Sequence, residues 1–148
     1  MIRVSISIPQ VELQVDSRFI RRVARTVLAG EKVDNAEISL AFVDNLTIQT
    51  LNRRYLSHDG PTDVLSFPLG HGKRGLAGEL VIGAEVAKSV ADTHGHDVQA
   101  ELALYTIHGL LHLCGYNDET KADAAEMSQR ERHFLRILNL PDIAPERS

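Results

Sequence analysis

Two histidines and an aspartate lie close together in the sequence, at His108, His112 and Asp118. Residues four apart on a helix share one face, so the two imidazoles can bind the same ion. Gly115 favours the left-handed turn that ends a helix, and such a turn would send Asp118 back toward the histidines. Two nitrogens and one carboxylate oxygen suit Zn²⁺ and leave a fourth position for water, as in hydrolytic centres. We therefore predict a catalytic site at these three residues, which hold one zinc ion.

The surroundings of the histidine pair favour a metal site over a purely structural role. The segment from Gln99 to Cys114 is almost entirely apolar, which predicts a buried helix. A single histidine in such a helix is most often a core residue bonded to a carbonyl group, but a pair at helical spacing needs further partners. Asp118 is not needed as a helix N-cap, because Thr120 and Asp123 form a separate capping signal.

The residue after the first histidine argues against a peptidase. In His-Glu-x-x-His peptidases a glutamate at that position is the general base, whereas this sequence has Gly109. Without this proton acceptor the ordinary metalloprotease mechanism is lost. A zincin-type metallopeptidase is therefore the least favoured alternative.

Two blocks of the sequence resemble one known family. The run His-Gly-Leu-Leu-His-Leu-Cys-Gly-Tyr-Asn-Asp at 108–118 is similar to the His-Gly-x-Leu-His-Leu-x-Gly-Tyr-Asp-His signature of the YbeY family. The run Pro-Thr-Asp-Val-Leu-Ser-Phe-Pro at 61–68 resembles a second segment of that family, and a Leu-Asn-x-x-Tyr lead-in precedes it at 51–55. A less specific match, Gly-Glu-Leu-Val-Ile, follows at 78–82. The resemblance covers nearly the whole chain.

Members of the YbeY family are bacterial metal-dependent endoribonucleases and rRNA maturation factors. The resemblance implies a zinc-dependent enzyme that cuts single-stranded RNA, processes the 3′ end of small-subunit rRNA and acts in ribosome quality control. Ribosomal proteins or small-subunit assembly factors are the implied partners. One function of a different class stays open: a non-catalytic ribosome assembly factor whose metal only holds the structure together.

Two positions depart from the family pattern. Asn117-Asp118 replaces the usual Asp-His pair, so the third ligand becomes a carboxylate, which zinc accepts. The added negative charge should make the bound metal a weaker Lewis acid. Leu56 stands where the family commonly carries an arginine that is thought to hold phosphate, and Arg53 and Arg54 are the nearest replacements.

Because the net charge is negative, any contact with RNA must be made by local clusters of cations. The chain has 16 Lys and Arg against 20 Asp and Glu, a formal net charge of −4. We predict substrate binding near the second family block by Arg53, Arg54, Asp63 and Ser66. Asp63 fits equally well as a turn cap that fixes the strand. Other predicted surface cations are Lys73, Arg74, Arg18, Arg21, Arg22 and Arg25. The last four recur at helical spacing, for which a solvated helix face is the simplest interpretation.

Periodicity and turn residues predict the elements that position these groups. Apolar residues alternate in the strand segments and recur every three to four positions in the helical ones, in the order βαβαββααα. This order predicts an α/β or α+β-like fold, in which about five helices cover a small mixed four-stranded sheet. We expect one domain over residues 1–140 and a flexible tail over 141–148. The third strand is predicted over 64–67, and a glycine-rich loop over 70–78.

Several classes of protein are not favoured by the sequence. No stretch approaches the ~20 apolar residues of a membrane span, and Met1 leads into a strand pattern where a signal peptide would show an apolar run. The lone Cys114 excludes an intrachain disulfide, which suits a cytoplasmic protein, and we expect it to be a small apolar filler. The other histidines lack ligand spacing and are predicted to be structural or solvent-facing: His58, His71, His94, His96 and His133.

Overall fold

The computed structural model describes residues 1–10, 13–56, 63–72 and 75–145. The elements follow one another as β1 (Ile2–Ser7), α1 (Ser17–Gly30), β2 (Ala36–Val43), α2 (Asn45–Leu56), β3 (Val64–Gly72), β4 (Gly75–Gly83), α3 (Ala84–His94), α4 (Val98–Leu113) and α5 (Lys121–Ile137). Their order confirms the predicted βαβαββααα arrangement.

Four strands form one mixed sheet in the order β1-β2-β4-β3. The pairs β1–β2 and β2–β4 are parallel, whereas β3 and β4 are antiparallel. One face of the sheet supplies Ile38, Leu40 and Leu80 to the main core, each 1% exposed. The other face carries a smaller apolar cluster of Val43 and Ile48 with Leu65, where α2 packs. The predicted α+β fold is therefore confirmed.

Helix α4 lies at the centre of the domain, in contact with the strands β3 and β4 and with the helices α1, α3 and α5. All side chains of residues 100–107 are buried, as the apolar sequence predicts. Two glycines allow the close approach to the sheet. A Cβ on Gly109 would lie 2.8 Å from the Leu80 side chain, and one on Gly78 would lie 2.7 Å from that of Leu113. No helix within the described ranges is long and apolar enough to cross a membrane.

The hairpin formed by β3 and β4 is longer than predicted. A strand ending at residue 67 and a loop over 70–78 are wrong, because β3 continues to Gly72 and β4 begins at Gly75. Pro68 is tolerated because β3 is an edge strand, where a residue without an N–H can face away from the sheet. The register of the pairing with β4 shifts between Pro68 and Gly70, next to the proline.

The chain beyond α5 packs against the domain. Ala144 is 8% exposed, and Ile143 packs against the main core. The Ser128 hydroxyl donates a hydrogen bond to the Pro145 carbonyl oxygen at 3.0 Å. Helix α5 ends at Ile137, before Pro141, and residues beyond Pro141 still pack on the domain. Residues 146–148 lie outside the described ranges.

Candidate metal centre

The C-terminal end of α4 reverses the chain just after the histidine pair. Gly115 has a φ of 106°. Its N–H donates to the His112 carbonyl oxygen, and the Tyr116 N–H donates to that of Leu111, both at 3.0 Å. This pair of bonds is the Schellman arrangement, which satisfies the last carbonyl groups of a helix. The turn that Gly115 predicts is present, and it returns Asp118 toward α4.

The structure brings the three predicted ligands together. His108 Nε2 and His112 Nε2 lie 3.0 Å apart. One ligand atom from each of His108, His112 and Asp118 lies within 4.8 Å of the other two. Two nitrogens that share a tetrahedral zinc at ~2.0–2.1 Å are roughly 3.4 Å apart, so a small adjustment fits the pair to one ion. The histidines are partly buried and Asp118 is exposed, which leaves the carboxylate side of the centre open.

A buried glutamate of α5 fixes the orientation of His108. The Glu131 side chain is 0% exposed, and its Oε2 lies 2.9 Å from His108 Nδ1. A carboxylate that accepts the Nδ1 proton leaves the Nε2 lone pair for an ion. Glu131 is not among the functional residues predicted from the sequence. A signal was available, because Glu131 shares the apolar face of α5 with Met127 and Phe134, where a charge needs a buried partner.

Gly109 faces the sheet and not the ligands. A Cβ at this position would lie 3.1 Å from the Val64 side chain, in addition to the Leu80 contact. A glutamate here would collide with β3 and β4, so the sheet occupies the place where a His-Glu-x-x-His enzyme keeps its general base. This packing agrees with the sequence argument against a peptidase.

Ser66 and Asp63 lie on the α4 side of β3. The Ser66 hydroxyl donates to the Gly109 carbonyl oxygen at 3.4 Å, which ties the strand to the helix next to His108. Asp63 Oδ1 accepts from the Val64 N–H at 2.8 Å, as a residue that fixes the start of a strand does. Asp63 also lines a cavity of about 600 Å³ that includes His108 and Glu131. Both interpretations of Asp63 from the sequence are therefore compatible with its position.

The predicted arginines belong to α2, the helix that packs on the face of the sheet that carries the smaller apolar cluster. Arg53 and Arg54 are exposed in the last turn of α2. The Arg54 guanidinium lies 5.9 Å from the centre of the Tyr55 ring, which contacts Phe67 edge-on at 5.8 Å. Phe67 belongs to the cluster beneath α2, so the Tyr55 ring beside Arg54 contacts that face of β3. The predicted residues His58, Pro61, Thr62, Lys73 and Arg74 lie outside the described ranges.

Polar side chains of α4 also line the cavity beside His108. Glu101 bonds to His96 Nε2 and, through a hydrogen bond, to Tyr105. Burial and the neighbouring Glu101 raise the pKa of Tyr105 far above its ordinary value. Tyr105 is therefore a neutral hydrogen-bond donor across the physiological range. Next to the loop, burial raises the pKa of Cys114 to about 11, which keeps its sulfur protonated.

The fold and the site define an α+β domain with a candidate metal centre built on one buried helix and the loop that follows it. The model of the endoribonuclease YbeY family matches residues 5–139, and the chain belongs to this family. The resemblance seen in the sequence is thus confirmed.

Individual relatives agree over most of the chain. It is 42% identical over 138 residues to the endoribonuclease YbeY of Sulfurovum sp. (strain NBC37-1), covering 89% of this chain and 88% of that protein. It is 40% identical over 129 residues to that of Pelotomaculum thermopropionicum, covering 82% and 85%. A solution structure of a Thermotoga maritima protein has the same fold, with a TM-score of 0.64 at 23% identity over 93% of this chain and 89% of that one.

Proposed function

We propose that this protein is an endoribonuclease that hydrolyses phosphodiester bonds in single-stranded RNA. The observation that carries the proposal is the convergence of His108 Nε2 and His112 Nε2, 3.0 Å apart, beside an exposed carboxylate. The relatives with which the chain shares its sequence are named endoribonucleases. In the proposed role the protein acts in the cytoplasm on rRNA, including the 3′ end of small-subunit rRNA, in ribosome maturation and quality control.

Zinc is the ion that we propose for the centre, because two imidazoles and a carboxylate form one of its common catalytic ligand sets. When bound, zinc supplies a Lewis acid for a phosphoryl oxygen and lowers the pKa of water. The protein contributes orientation: Glu131 holds the His108 ring from the side remote from the ligand nitrogen. Asp118 closes the ligand set from the solvent side, where a phosphate can enter.

The role of Asp118 is tested by metal content and cleavage measured on the same preparations. Wild-type protein should bind one zinc ion and cleave single-stranded RNA. Asp118→Ala should lose most of both, because two ligands bind zinc more weakly than three. Asp118→His, which restores the usual family ligand, should retain the metal. Unchanged zinc content in Asp118→Ala would remove Asp118 from the ligand set.

A second comparison separates catalysis from a structural metal. His112→Ala should abolish cleavage while the protein stays folded, and His133→Ala, which removes a histidine of α5 outside the centre, should not. The opposite result would be a refolded His112→Ala protein that still cleaves RNA, combined with unfolding of the wild type by a chelator. It would make the metal structural and remove His112 from the catalytic residues. Failure of the wild type to cleave RNA, with the same unfolding by a chelator, would favour the assembly factor.

A further inference from the structure

Helix α1 presents a row of arginines on the side opposite to its core contacts. We call Arg18, Arg21, Arg22 and Arg25 the arginine face. Three of them are exposed, and Arg21 is partly buried with its Nη2 3.4 Å from the Val4 carbonyl oxygen. Buried residues on the other side of the helix, including Ile20 and Val27, hold α1 in the core. The arginine face lines an open groove of about 510 Å³.

No acidic side chain forms an ion pair with these arginines within the described ranges. Helix α1 contains neither Asp nor Glu. The ion pairs of the described chain involve cations elsewhere, such as Arg3, Lys88, Arg130 and Arg132. The arginine face is therefore a concentrated positive surface on a protein whose net charge is −4.

This arrangement opposes helix stability. Arginines three and four positions apart repel each other, and Arg18 lies near the helix N-terminus, where the dipole disfavours a cation. A face that served only to keep α1 in water would gain from interspersed acidic residues, as most solvated helices have. The clustering is better explained by a ligand of opposite charge.

The arginine face lies toward the opposite edge of the sheet from the metal centre. Arg21 contacts Val4 of the edge strand β1, whereas Ser66 of β3, at the other edge, contacts Gly109 beside His108. Helices α1 and α4 pack side by side, and near their N-termini the Asp16 N–H donates to the Gln99 side chain at 3.5 Å. At the other end Glu31, which follows α1, lines an acidic cleft with Asp123 and Glu126 of α5 and with residues 114–117, so the positive surface of α1 ends before this cleft. Arg25 lies about 9 Å along the axis from Glu31, at 1.5 Å per residue.

We propose that the arginine face binds the phosphate backbone of the RNA substrate at nucleotides remote from the cleaved bond. This inference rests on the proposed function. Guanidinium groups match phosphate oxygens with paired hydrogen bonds. The aromatic residue of α1, Phe19, packs against the core, so the face offers charge without a stacking platform. Binding should accordingly be independent of base sequence.

The test compares two variants that lose the same charge. The first carries Arg18→Gln, Arg22→Gln and Arg25→Gln, where glutamine preserves helix propensity. The matched control carries Arg3→Gln, Lys88→Gln and Arg136→Gln, which removes three exposed cations elsewhere. Affinity for a long single-stranded RNA is measured over a range of salt, and cleavage is measured on a short oligonucleotide that spans only the metal centre.

The arginine-face variant should bind the long RNA roughly tenfold to a hundredfold more weakly, with a salt slope shallower by about 2, since each single-strand phosphate contact contributes ~0.7. Its cleavage of the short oligonucleotide should match wild type. An affinity equal to that of the control variant would overturn the inference. The arginine face would then contact solvent or bind an acidic protein. Failure of the wild type to cleave the short oligonucleotide would instead overturn the proposed function. The two failures are distinguishable because binding of the long RNA is measured separately from cleavage.

Discussion

His108 is held through both nitrogens of its ring, with Nδ1 toward Glu131 and Nε2 toward His112. A ligand fixed in this way loses little rotational freedom when an ion binds. The buried carboxylate also favours the ring tautomer whose free lone pair lies at Nε2. In the proposed centre Glu131 is therefore a positioning residue, which would act on the ion through His108.

We expect Glu131→Gln to weaken zinc binding by roughly 10- to 100-fold, since the amide preserves shape but is a poorer acceptor for the Nδ1 proton. Zinc affinity is measured by competition with a chelator, and cleavage is then repeated at saturating zinc, where most activity should return. Glu126→Gln, on an exposed glutamate of the same helix, is the control. If zinc affinity is unchanged while only the free energy of unfolding falls, Glu131 stabilises the folded core and does not position a zinc ligand.

At the scale of residues, the sequence predicts contacts between residues that are close together in the chain. His108, His112 and Asp118 follow from helix spacing and one glycine turn. Glu131 lies 23 residues from His108, and the contact exists only because α5 packs on α4. Substrate binding by Arg53 and Arg54 was inferred from their closeness in sequence to the second family block, and it stays a prediction.

At the scale of elements, the position of the histidines depends on how closely α4 lies against the sheet. Helix propensity alone predicts that Gly109→Ala stabilises the protein by about 1 kcal/mol. The Cβ would meet Leu80 at 2.8 Å, so we expect a loss of about 1–3 kcal/mol and weaker zinc binding as α4 shifts. Urea unfolding and zinc titration measure both effects.

The control for this prediction is a double variant. Leu80→Val shortens the side chain that the new methyl group would meet, so Gly109→Ala should cost less in that background than in wild type. Equal costs in both backgrounds would mean that the contact with Leu80 does not position the helix.

The elements themselves were mostly predictable, because strand alternation and helix periodicity are properties of short segments. The failures have physical causes. Pro68 and the glycines after it suggested a loop, but pairing with β4 outweighs their low strand propensity. The last helix was expected to run to Asn139 with Pro141 as its stop, but it ends at Ile137, and Ile143 and Ala144 beyond it still bury apolar surface.

At the scale of the whole molecule, the metal centre connects α4 to the loop that enters α5. An ion that binds only the folded chain stabilises it, by about 2.7 kcal/mol when its concentration is 100 times Kd. We expect zinc to raise the midpoint of thermal unfolding of the wild type and a chelator to lower it. His112→Ala should show neither shift. A shift of equal size in His112→Ala would place the stabilising ion at a different site.

The exposure of Asp118 has an evolutionary consequence. His108 and His112 are set into the packed helix, so exchanging either disturbs its neighbours. Asp118 lies on the exposed loop after Gly115, where another side chain can replace it without repacking the core. Carboxylate ligands suit harder ions such as manganese, and imidazole suits zinc. In the proposed centre the third ligand is thus the position at which a single substitution can change the ligand set without repacking the core.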